Sequence, residues 1–86
     1  MKLNEKFIHH QLADETLIVP AAGARFHGLV QGNKTLAAIA ECLSKDTTEE
    51  EIVENLCARF NGDRGVIAAD VADAIRRLRA IGAIDD

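Results

Sequence analysis

From Asn33 to Gly62 the chain reads "NKTLAAIAECLSKDTTEEEIVENLCARFNG", and this segment restricts the fold more than any other. Leu36, Ile39, Ala40 and Leu43 recur at i, i+3, i+4 and i+7, the stripe of an amphipathic helix. Asn33 or Thr35 can cap its start, because a short polar side chain satisfies an orphan N–H there. "SKD" interrupts the stripe. Thr47 and Thr48 then stand three residues before Glu50 and Glu51, the spacing of a capping box. Glu49, Glu50 and Glu51 also lie where the helix dipole favours negative charge. Ile52, Val53, Leu56, Cys57 and Phe60 form a second stripe, and Asn61-Gly62 predicts a left-handed stop. Two capped helices thus follow one another with almost no room between them.

A polar loop, "NGDRG", leads to a third helix. Asp70 is its expected N-cap, and Val71, Ala74, Ile75, Leu78 and Ile81 share one broad face. Gly82 ends the helix, and Ala83-Ile84 is expected to fold back as a hydrophobic tail.

Upstream, from Lys6 to Val30, apolar residues come in short alternating runs instead. "KFIHHQL" sets Phe7, His9 and Gln11 against Ile8, His10 and Leu12. "ADE" predicts a turn, since Asp14 can bond its own downstream backbone. "TLIV" follows and stops at Pro20, which cannot donate to a sheet ladder. These two runs predict a hairpin. Gly23 offers a second turn, and "ARFHGLVQ", Ala24 to Gln31, predicts a third strand interrupted at Gly28, as at a bulge or a close backbone approach. Strands followed by helices imply an α+β fold: a three-stranded antiparallel sheet, then a three-helix bundle, in one domain spanning residues 1–86. The sheet must cover its apolar face with the helices, and the third strand is expected to keep an open side.

The only aromatic residues are Phe7, Phe26 and Phe60, so the core must be aliphatic. The formal charge of −4 argues against a general phosphate-backbone binder, which needs a basic stripe for its affinity. Cys42 and Cys57 lie inside predicted helices and read as small core hydrophobes, not as a disulfide. "MKLNEKF" carries no signal-peptide pattern, and no apolar run approaches the roughly 20 residues that span a bilayer. The expected address is the cytoplasm, with no membrane partner.

Catalytic chemistry finds no constellation. His9 and His10 are neighbours on a strand and point to opposite faces, so both cannot hold one ion, and nothing near His27 completes a ligand set. Ser44, the only serine, lies where a helix ends, and neither cysteine has an evident base to activate it. "NGDRG" lacks the spacing and lysine of a phosphate cradle. No enzyme activity, metal or cofactor is therefore expected. Charge placement says more: Arg76, Arg77 and Arg79 flank the apolar face of the third helix. They are either a solvated surface or the border of a groove for an apolar, partly acidic partner, since arginine bonds carboxylates bidentately.

Order and spacing together resemble a known family. An Asn33–Thr35 helix entry with Ile39 and Leu43, a Thr48–Glu51-Ile52 helix start, the helix-ending Phe60, and a closing Ile75, Leu78, Gly82, Ala83-Ile84 pattern follow one another. In this the chain, from about Phe7 to Ile84, is similar to the PqqD-type peptide chaperones, also called RiPP recognition elements. The strand before Asn33 carries Gln31-Gly32 where the family has a hydrophobic residue. The resemblance implies a winged-helix-like domain without chemistry of its own. It would bind the leader of a ribosomally made precursor peptide by strand addition and present it to a modifying enzyme, typically a radical S-adenosylmethionine enzyme.

On that basis the expected peptide-binding residues are Phe26, His27, Gly28, Leu29 and Val30 from the strand, with Val71, Ala74, Ile75 and Leu78 from the helix. Gly28 would admit the incoming backbone, and Arg76, Arg77 and Arg79 would meet acidic leader residues. Two other readings use the same elements: a winged-helix DNA-binding regulator, which calls for a more basic helix and a positive net charge, and a homodimerising adaptor that pairs through the same edge.

Overall fold

In the computed structural model, which describes residues 1–21 and 28–86, the expected hairpin forms the first half of the sheet. A short strand β1 (Lys2–Leu3) precedes it, and β2 (Phe7–Leu12) and β3 (Glu15–Pro20) pair antiparallel from Phe7↔Pro20 to Leu12↔Glu15. The two-residue turn between them puts Ala13 at a φ of 32°. Thr16 is buried within the hairpin, and its hydroxyl donates to Oε1 of Gln11 at 2.6 Å. That bond removes the cost of an unpaired buried polar group.

The third strand, β4, spans only Val30–Gly32 and pairs with β3 through Ile18↔Val30, Leu17↔Gln31 and Thr16↔Gly32. Of the expected strand Ala24 to Gln31, the described residues show only its last part in the sheet. Ala24, Arg25, Phe26 and His27 lie outside the described residues, while Gly28 and Leu29 are unpaired. Gly28 is committed elsewhere: a β-carbon there would stand 2.3 Å from Cγ2 of Ile81, at the far end of the third helix.

Helix α1 (Lys34–Cys42) starts at Asn33, whose side chain accepts from the Thr35 N–H. Helix α2 (Glu49–Arg59) starts at Thr48, which accepts from the Glu51 N–H, while the Glu51 carboxylate takes the Thr47 hydroxyl at 2.9 Å. Both threonines of the predicted box are thus used. The end of α2 differs from expectation. Phe60 is already extended, and Gly82 is the only glycine with positive φ among the described residues, so Gly62 is no left-handed stop.

Helix α3 runs Arg64–Ala80, and its N-cap is Asp63, which accepts from the N–H groups of Gly65 and Val66. The expected cap, Asp70, lies two turns inside the helix. The tightly placed "NGDRG" glycine did not end helical structure, because Asp63 satisfies the donors of the first turn. At the other end Gly82, with φ 79°, donates to the Arg79 carbonyl, and Ala83 donates to that of Leu78. This pair of bonds is a Schellman stop, and it turns the chain sharply back.

The returning tail is a strand, β5 (Ile84–Asp85), which pairs antiparallel with β1 through Lys2↔Asp85 and Leu3↔Ile84. The Asn4 N–H donates to the Ala83 carbonyl at 2.7 Å, and its side-chain amide donates to Asp85. The core is aliphatic apart from Phe7. Ile18 and Val30 from the sheet meet Leu36, Ile39, Leu43, Ile52, Leu56, Val71, Ile75 and Leu78 from the helices. At roughly 25 cal/mol per Å² of apolar surface removed from water, this burial is the main force holding sheet to helices.

Candidate functional site

Strand order β2-β3-β4 leaves β4 at an edge, and no strand pairs with its outer side among the described residues. That edge lies beside α3. The Nη2 of Arg77 donates to the Gln31 carbonyl at 3.0 Å, which fixes this carbonyl as one that faces away from β3. Gly32 brings β4 tight to α1, since a β-carbon there would come within 2.8 Å of Cβ of Leu36. Between these elements lies a cleft of about 220 Å³, bordered by Gly32, Asn33, Thr35, Ala74, Asp70 and Arg77.

The expected site residues meet different fates. Phe26 and His27 lie outside the described residues. Val30, Val71, Ala74, Ile75 and Leu78 all belong to the one buried core; Leu78 and Val71 are fully enclosed. Gly28 is half-buried, and its lack of a side chain accommodates Ile81 of the same chain. Leu29 is 57% exposed, just before the open edge.

The arginines have separate fates. Arg76 forms an ion pair with Asp73 one turn earlier, and Arg79 grips the Asp86 side chain at 2.5 and 2.8 Å. Arg79 thereby holds the Asp86 carboxyl below its ordinary value, chiefly through the hydrogen bond. Only Arg77 reaches the strand edge. The cleft residues Gly32, Asn33, Thr35 and Asp70 were not anticipated as site residues. Their one sequence signal is the helix cap Asn33 directly after a short strand, which forces strand edge and helix start together.

Among the described residues of this region, no nucleophile stands with a base. Cys42 and Cys57 are free, and burial raises the Cys42 thiol above its ordinary value, against the opposing pull of Arg59. A raised thiol stays protonated and unreactive at neutral pH. Among the described residues no group of three or more His, Cys, Asp or Glu side chains converges as metal ligands, and no helix is long and apolar enough to cross a membrane.

A three-stranded antiparallel sheet closed by three helices, with a strand edge left beside the last helix, defines a winged-helix-like α+β domain. The family model of coenzyme PQQ synthesis protein D (PqqD) matches residues 12–84, and the chain belongs to that family. Among solved structures it is similar to one described as "TbiB1 in Complex with the TbiA(beta) Leader Peptide", with a TM-score of 0.71 and 22% identity. The match covers 99% of this chain and 100% of that one, and it shows a shared fold. No curated protein matches the chain significantly.

Proposed function

We propose that this protein is a non-catalytic peptide chaperone. It captures the leader of a ribosomally synthesised precursor as an added strand on β4 and presents it to a modifying enzyme, with a radical S-adenosylmethionine enzyme as the expected client. The observation that carries this reading is the outer side of β4, unpaired among the described residues and flanked by α3. Strand addition draws affinity from main-chain hydrogen bonds and specificity from alternate side chains. Membership of the PqqD family supports it, as does a shared fold with TbiB1, whose structure is described with a leader peptide. Leu29, Gln31 and Gly32 would line the added strand, with Ala74 and Arg77 on the helix side and Phe26 and His27 as continuations upstream. The cytoplasm, where precursor peptides are made, is the proposed location.

The DNA-binding reading gains nothing from the geometry. Arg76 and Arg79 are engaged by carboxylates of the same chain, and the net charge is −4. The test is an amide-shift titration with a synthetic leader taken from a short reading frame adjacent to the gene. Gln31 and Gly32 should shift together with the Asp70–Arg77 face of α3. A saturating titration that moves neither discards the proposal. A shift of the same residues on raising protein concentration alone would mean self-pairing of the edge.

A further inference from the structure

Four arginines stand on α3, and three are matched within the chain: Arg64 by Glu54, Arg76 by Asp73 and Arg79 by Asp86. Arg77 makes no ion pair among the described residues. Its guanidinium instead donates to the outward carbonyl of Gln31, the central residue of a three-residue edge strand. In antiparallel or parallel strand addition that carbonyl is a principal acceptor the edge can offer to a guest N–H. The free protein therefore fills its own docking position with an arginine.

We infer that Arg77 is the specificity-determining residue of the docking edge: it occupies the Gln31 carbonyl when the site is empty, and exchanges that contact for a carboxylate on the arriving peptide. The inference rests on the strand-addition reading above and names what the guest must carry. Giving up a single bond to a neutral carbonyl for a carboxylate is favourable, because the guanidinium then makes two parallel bonds to an opposite charge. The same exchange frees the Gln31 carbonyl for the guest backbone, so one event opens the edge and reads the side chain. Alternate residues of an added strand point toward α3, so a single Asp or Glu on that side suffices. An arriving lysine would instead meet the positive charge of Arg77, and of the two aspartates described in the cleft Asp73 is already held by Arg76.

The test is selection of random 12-residue peptides by display on the whole chain, carried out in parallel on the wild type, Arg77→Gln and Arg77→Glu. All three should retain the wild-type circular dichroism spectrum, because Arg77 is exposed. The wild type should enrich alternating apolar peptides with Asp or Glu at one fixed place. Arg77→Gln should enrich the same apolar pattern without the acid, and Arg77→Glu should place Lys or Arg there. Replacing the acid by its amide in the best peptide should weaken wild-type binding about three- to tenfold and leave Arg77→Gln binding unchanged. On binding, the Gln31 carbonyl carbon and the Arg77 side-chain N–H should shift together. An acidic preference that survives in Arg77→Gln, or wild-type peptides with no acid or with a basic residue, overturns this inference and leaves strand docking standing. If no version of the chain enriches any peptide, the docking reading itself falls and this inference with it.

Discussion

Ala13 takes the left-handed conformation that the two-residue hairpin turn demands, at φ 32°. A β-carbon costs about 1–2 kcal/mol there, which Gly avoids and Asn offsets by bonding its own backbone, so Ala13→Gly or Ala13→Asn should raise stability by about 0.5–1 kcal/mol in urea unfolding. Gly28 works in the opposite sense. Its missing side chain is replaced by the Ile81 methyl, so Gly28→Ala should cost about 1–3 kcal/mol as the packed chain shifts. In an Ile81→Ala background the same change should cost markedly less, a non-additivity that shows the two positions share one space. The turn at "ADE" was legible from Asp14. That Ala13 would bear the strain was not, because no Asn or Gly advertised it. A close approach at Gly28 was legible too, but its partner lies more than fifty residues away in sequence and leaves no local trace.

The first two helices could be read from the chain because their caps and stripes agree: Asn33 and Thr48 each begin a helix where local chemistry says one should begin. For α3 two aspartates competed. Asp63 wins because its carboxylate reaches two N–H groups, while Ala68 and Ala69 favour helix and Ile67 is buried on the core side. Asp63→Ala should therefore cost about 1–2 kcal/mol in chemical denaturation, and Asp70→Ala should stay within about 0.5 kcal/mol. Equal losses at the two positions would contradict this assignment. The edge β4 was expected, yet its length was not, since β-propensity in "ARFHGLVQ" says nothing about where Ile81 will sit. Burial of Val71, Ile75 and Leu78 had the same blind spot: a helical stripe does not distinguish the floor of a groove from plain core.

At the scale of the molecule, both ends of the chain meet in β1 and β5, a pairing too short for periodicity to announce. Two ion pairs flank it. Asp46 hydrogen-bonds the terminal amine of Met1, whose carbonyl accepts from Thr47, and Asp86 is held by Arg79. Each partner depresses its carboxyl below the ordinary aspartate value of 3.8. Carboxyls lowered on folding add stability that is complete above their unfolded value and is lost as pH falls through the folded one. Acidification from about pH 5 to below pH 3 should thus release β1–β5 before the helices, seen as early loss of amide protection at Asn4, whose N–H donates to the Ala83 carbonyl across this pairing. Arg79→Gln should move that loss to higher pH. Simultaneous loss across the whole chain would show that the ion pairs do not govern it.

The meeting of β1 with β5 also bears on how such a unit could be carried by a larger protein. Neighbouring backbones in a sheet stand about 4.8 Å apart, so the entry and exit points are nearly one place. A host polypeptide could detour through the entire module from a single surface loop and resume its course almost undisturbed. The junction belongs to a sheet of its own, separate from β2-β3-β4, so such a tether would leave the pairing of the larger sheet untouched.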